Sequence, residues 1–191
     1  GGGDAQSKMF RLKEALTNVF NDTALLPDGK IRLAWQAMWN TNGAPNNITA
    51  GATNSMKVLD ATHRANFQTF VGILTTGGGT PSHQMMFNTY NYMRTGKSIN
   101  SPWASVPGTT ETPYMSCRRA YHIFMTDGAW NGLSAAVRPG NTDNNNITLP
   151  DSDSTIYNVA SDQSNVYKGA LGNLLADWAM RMWSEDLQPT I

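Results

Sequence analysis

Charge is scarce in this sequence. Only 15% of its 191 residues are Asp, Glu, Lys or Arg, and 14 basic residues balance 14 acidic ones to a formal net charge of zero. Globular chains carry roughly 25% charged residues, and without an excess of one sign no long-range field gathers nucleic acid or anionic lipid. Neither is expected as a partner. Cysteine is almost missing: Cys117 stands alone, which excludes an internal disulfide framework and a cysteine zinc site. Cys117 reads as a half-buried thiol just ahead of a strand, or as one half of a disulfide to a segment outside 1–191. No apolar run reaches the about 18 residues of a membrane span, so no membrane insertion is expected. The start, Gly1-Gly2-Gly3-Asp4, lacks the basic and apolar regions of a secretory signal; the expectation is a leader already removed, or a fragment.

What is present is a polar surface built from Asn, Thr, Ser and Gly, and 40% hydrophobic residues. That is enough for one core, so 1–191 reads as a single domain, of a composition that suits an exported or surface-exposed protein. Met9, Leu12, Leu16, Val19 and Phe20 recur at helical spacing between Ser7 and Phe20. The turn Leu26-Pro27-Asp28-Gly29 follows, and then Ile31, Leu33, Trp35 and Ala37 alternate as in a strand. Asn40 to Asn54 has no period and reads as a surface loop. Phe67, Phe70, Val71 and Leu74 mark a second helix, stopped by Gly77-Gly78-Gly79-Thr80-Pro81. Pro81 suits the first turn of a third, continued by Met85, Met86, Thr89, Tyr90 and Met93, which puts Thr80 at a helix N-terminus. Ser98 to Pro113 is another loop. Ala120 to Met125 is an apolar run of the kind found in buried parallel strands, ending in Thr126-Asp127-Gly128. Residues 133–165 are the most polar stretch and read as a loop insertion within the domain. Leu171, Leu174, Leu175, Trp178, Met182 and Trp183 predict a last helix. Helices alternating with short apolar strands predict an α/β fold with an open, mainly parallel sheet flanked by helices.

In such a fold ligands bind at the carboxyl edge of the strands, which is where Asp127 falls. The glycine-rich loop before Thr80 lets the backbone approach the same edge. A hydroxyl and a carboxylate completed by water are oxygen-only ligands suited to Mg²⁺ or Mn²⁺. The alternative is plainer: Thr80 caps a helix and Asp127 makes a turn. Gly79 and Gly128 flank the two residues and are candidate ligand contacts. Trp130 would either contact a protein ligand or cover the sheet edge.

These segments carry a resemblance. Cys117 to Gly132, an apolar strand ending in Thr126-Asp127-Gly128 and followed by Trp130-Asn131-Gly132, resembles the corresponding strand and turn of the PilC/PilY family of type IV pilus tip-associated adhesins. Thr62-His63-Arg64-Ala65-Asn66-Phe67, the loop Gly77 to Pro81, Leu149-Pro150-Asp151, and the ending Leu175-Ala176-Asp177-Trp178 to Asp186-Leu187-Gln188-Pro189 are similar to further segments of that family. The resemblance implies a von Willebrand factor A-type (vWA, Rossmann-like) domain beside a C-terminal β-propeller that lies outside 1–191. It also implies a non-catalytic role in pilus assembly, twitching motility, adhesion and surface sensing, at the pilus tip or bacterial surface. The implied partners are minor pilins or other tip components, with a host-cell or surface ligand. Domains of the vWA type hold their metal with a DxSxS motif after the first strand, plus a threonine and an aspartate from later loops; Thr80 and Asp127 match the later two.

No DxSxS occurs in 1–191, so the first strand is expected to precede Gly1 and the metal site to be incomplete as it stands. A module that folds and transmits force without metal or ligand is the alternative. A hydrolase built on Ser82 and His83 is a distant one, because neighbours on a helix diverge and no G-x-S-x-G elbow is present. His63 and His122 are isolated and do not read as zinc ligands. Asp143, Asp151 and Asp153 lack the Gly and Glu spacing of an EF-hand loop, and Gly77 to Thr80 lacks the Lys of a phosphate-binding loop.

Overall fold

The computed structural model describes residues 2–115, 118–126, 128–132, 135–161 and 167–191. Among these, helices dominate. α1 spans Gly2–Asn21, α2 Ala61–Ile73, α3 Ser82–Met93 and α4 Leu175–Ser184, with single turns of 3₁₀ helix at Ala135–Val137 and Thr142–Asn144. Two short antiparallel ladders accompany them: β1 (Arg32–Leu33) with β2 (Lys57–Val58), and β3 (Ile147–Thr148) with β4 (Ile156–Tyr157). The fold is mixed α/β.

α2 shows why this stretch folds as it does. Asp60 caps it by accepting a hydrogen bond from the His63 amide at 2.7 Å. His63 lies against the carbonyl of Leu33, 2.8 Å from Nε2, which makes it a structural histidine. The guanidinium of Arg64, almost wholly buried, donates to the carbonyls of Phe20 and Leu26 and to Asp28. One side chain therefore fastens α2 to the end of α1 and to the turn at Pro27. Phe67 and Phe70 complete the face, packing with Trp35, Val71, Ala44 and, from α1, Leu16 and Phe20.

The 31–37 strand is shorter than its alternation predicts. β2 ends after Val58 because the chain turns into the cap at Asp60, and beyond Leu33 the ladder is replaced by single bonds. The Trp35 amide donates to Asn54, and the Asn54 side chain donates to the carbonyls of Trp35 and Asn47. The 40–54 loop is accordingly less superficial than expected, since Ala44, Ile48 and Asn54 are buried. Ile48 joins Tyr92, Met93 and Trp103 in a second apolar cluster, and Trp103 donates its indole N–H to the Met93 carbonyl at 2.7 Å. A third cluster, of Met86, Tyr90 and Trp178, welds α3 to α4.

The mixed α/β class is met among the described residues, and its finer features only in part. The open parallel sheet is not found among the described residues, where both ladders are antiparallel. Residues 118–126 lie in no helix or ladder, and a strand exists as such only where a neighbour matches its backbone donors and acceptors. Phe124 packs on the third cluster, whereas Tyr121, Ile123 and Met125 point away and are largely exposed. Ala120 and His122 are exposed as well, so Phe124 is the one residue of 120–126 that is partly buried. Trp183, expected on the apolar stripe of α4, is exposed and meets only the edge of Tyr157 in ring contact. The 133–165 insertion carries the second hairpin and both 3₁₀ turns. No described helix is long and apolar enough to cross a membrane.

Candidate functional site

Thr80 and the residues after Asp127 meet in space. The Thr80 amide donates to Asn131 Oδ1 at 2.9 Å, and the Asn131 amide donates back to the Thr80 carbonyl at 3.0 Å. Two loops about fifty residues apart in sequence are thus closed on each other by a reciprocal pair. The glycines make this approach possible. A Cβ on Gly79 would lie 2.6 Å from Asn131 Oδ1, and one on Gly78 would enter the Trp39 ring at 2.7 Å. Gly78 also sits at φ +78°, where side chains are strained. Gly128 has φ +129° and donates its amide to Thr126 Oγ1 at 3.3 Å. The Thr80 carbonyl accepts a further bond from the Ser82 amide at 2.8 Å, which starts α3. No described residue takes a hydrogen bond to or from the Thr80 hydroxyl.

Beneath the loops lies His83, fully buried, with Trp130 edge-on at 4.3 Å between ring centroids. Trp130 remains about a third exposed, so it covers His83 and still reaches the surface. Among the described residues neither ring nitrogen of His83 has a hydrogen-bond partner, and neither does the Ser82 hydroxyl, which is also sealed from solvent. Burial pushes the His83 pKa below the usual histidine value, and the charge of Asp177 opposes that shift. A hydrolase needs its nucleophile bonded to its base and reachable by substrate. Ser82 and His83 meet neither condition.

Asp127, the expected carboxylate of the metal site, lies outside the described residues, as does Cys117. Thr80 and Gly79 meet Asn131, Trp130 lies against His83 at the start of α3, and Gly128 bonds to its near neighbour Thr126. Among the described residues no three His, Cys, Asp or Glu side chains converge as a metal-binding group. Sequence reasoning passed over Asn131, the residue that joins the loops; the signal was the Asn-Gly step after Trp130, a turn former whose side chain bonds backbone readily. It also passed over Asp177, which accepts the Leu174 amide at 2.8 Å and so closes the N-terminus of α4.

No family model matches the chain, and no solved structure does. Among curated proteins it is 37% identical over 164 residues to the type IV pilus biogenesis factor PilY1 of Pseudomonas aeruginosa strain PAK, covering 84% of this chain and 13% of that protein. The PilY1 proteins of strains PAO1 and UCBPP-PA14 are each 34% identical, over 84% and 87% of this chain and 13% of their own length. The chain spans about an eighth of the length of these relatives. Over that stretch, with the Thr62–Phe67, Gly77–Pro81 and Thr126–Gly132 segments in place, the chain belongs to the PilC/PilY family of type IV pilus biogenesis factors.

Proposed function

We propose that this chain is a non-catalytic adhesion and assembly module of a type IV pilus tip protein, exported and held at the bacterial surface. Its fold in the whole protein is a vWA-type open sheet, in which 118–126 is an inner strand. The observation that carries the reading is the reciprocal Thr80–Asn131 pair, which holds the glycine-threonine loop against the loop that follows Asp127. Such closure is what a metal edge needs, because a threonine hydroxyl and an aspartate from separate loops must face one ion. Thr80 and Asp127 would hold Mg²⁺ or Mn²⁺, with water and further oxygens completing the shell, and the ion would take an acidic group of a surface ligand. The uncovered face of Tyr121, Ile123 and Met125 agrees with a strand that has neighbours in the whole protein.

The partners proposed are minor pilins or other tip components. Surface-immobilised minor pilins should capture this chain in the presence of Mn²⁺, and Trp130→Ala should weaken capture if the indole is a contact. Absence of capture with and without metal would contradict an assembly role. One observation favours a second reading, a structural module without metal: Trp130 is engaged in covering the buried His83. Capture that is unchanged by a chelator would favour it.

A further inference from the structure

Asp143 was set aside in the sequence because Asp151 and Asp153 do not complete a calcium loop with it. The structure gives it another neighbour. Asp151 spends its carboxylate on the Thr155 amide at 2.7 Å, while Asp143, 2% exposed, lies against Asp177, 0% exposed, whose Oδ1 accepts the Asp143 amide at 3.2 Å. No described basic residue forms an ion pair with either carboxylate. Two buried carboxylates without a counter-charge are costly, and a hydrogen bond from the Gly169 backbone and one between the two carboxyl groups offset part of that cost.

A second observation comes from the hydrogen-bond balance. Asp143 Oδ1 is buried with no hydrogen-bond partner among the described residues, and so is Oδ1 of Asn141, the N-cap of the 3₁₀ turn at Thr142–Asn144. Both atoms are acceptors only, so what is missing is a donor or a cation, not another oxygen. The Gly169–Gly172 loop covers both residues. A Cβ on Gly169 would stand 3.4 Å from Asp143 Oδ2, and one on Gly172 would press on Asn141 at 2.9 Å. A side chain in place of Gly172 would drive that loop off the turn.

We propose that Asn141, Asp143 and Asp177 form a buried calcium site, closed by the Gly169–Gly172 loop. Two carboxylates supply the charge that balances the ion, and the Asn141 amide oxygen supplies a neutral third ligand. Calcium fits better than magnesium, because calcium accepts many protein oxygens in flexible geometry, whereas magnesium keeps its waters and a sealed site leaves little room for them. The site joins the polar insertion to the start of α4, and it is separate from the Thr80 edge in residues and in test.

The experiment is calorimetric titration of the metal-stripped 191-residue chain with CaCl₂ and MgCl₂. One Ca²⁺ that depends on Asn141 should bind per chain. Asp143→Asn should weaken binding by more than about tenfold, as losing a ligand costs at least what losing a supporting group does, and Asn141→Ala should weaken it while keeping both carboxylates. Asp127→Ala should bind Ca²⁺ as wild type does. If Asp143→Asn does not fold by circular dichroism, Asn141→Ala carries the test. No Ca²⁺ uptake at millimolar concentration, uptake unchanged in Asn141→Ala, or uptake abolished by Asp127→Ala would each overturn the proposal.

Discussion

Arg64 fastens α2 to the end of α1 and to the turn at Pro27 through one charged side chain. It is buried, and its guanidinium satisfies two carbonyls and the half-exposed Asp28. Arg64→Ala would leave the carbonyls of Phe20 and Leu26 without donors, at about 2–3 kcal/mol, and chemical denaturation should read the loss directly. His83 presents the opposite case, a buried ring with no hydrogen-bond partner among the described residues. Burial holds the pKa of both His83 and His63 below the value of the unfolded chain, so at acid pH the unfolded state binds the extra protons. Stability should therefore fall as pH drops through the ordinary histidine range and recover as it rises above it. His83→Phe keeps an aromatic ring under Trp130 and removes one titrating group. It should leave stability at pH 7 equal or higher and flatten the decline toward pH 5, measured by thermal unfolding across pH.

Among elements, the helices were legible in the sequence and the sheet was not. α1, α2, α3 and α4 each announce themselves by a 3.6-residue apolar period and by a stop or cap, Gly77 to Gly79 for one and Asp60 for another. Those signals are local, and the structure keeps them within a few residues. The 120–125 run reads as a buried strand by composition, but burial and pairing depend on what lies beside it, which apolar content alone does not encode. Hence Tyr121 and Ile123 are exposed where inward-facing positions were expected. The site followed the same division. Thr80 and Gly79 were legible from the glycine stop before Pro81, whereas the partnership with Asn131 joins distant loops and leaves no trace in spacing. That partnership makes its own prediction. Gly79→Ala should displace the Asn131 side chain and cost about 1 kcal/mol, the worth of the Thr80 amide bond it breaks. Asn131→Ala should cost a similar amount, and the double substitution should cost less than the sum, because both remove one interaction.

At the scale of the whole molecule, three apolar clusters are strung along α2, α3 and α4, and α3 belongs to two of them. The hydrogen bond of Trp103 to Met93 and the bond of the Met56 amide to the Tyr92 hydroxyl tie the second cluster to the helix, with burial pushing the Tyr92 pKa up to about 12. This frame sets the Thr80 loop at one end of α3, where it is bonded to Asn131. The central claim is that this edge is built to hold a metal for adhesion. Its most direct test is the thermal unfolding of the chain in Mn²⁺, in Mg²⁺ and in a chelator, for wild type, Thr80→Ala and Asp127→Ala. The account predicts a metal-dependent rise in Tm for wild type, since a ligand that binds only the native state stabilises it, and loss of that rise in both variants. Equal Tm in metal and chelator for wild type, or a rise that survives both substitutions, would contradict it.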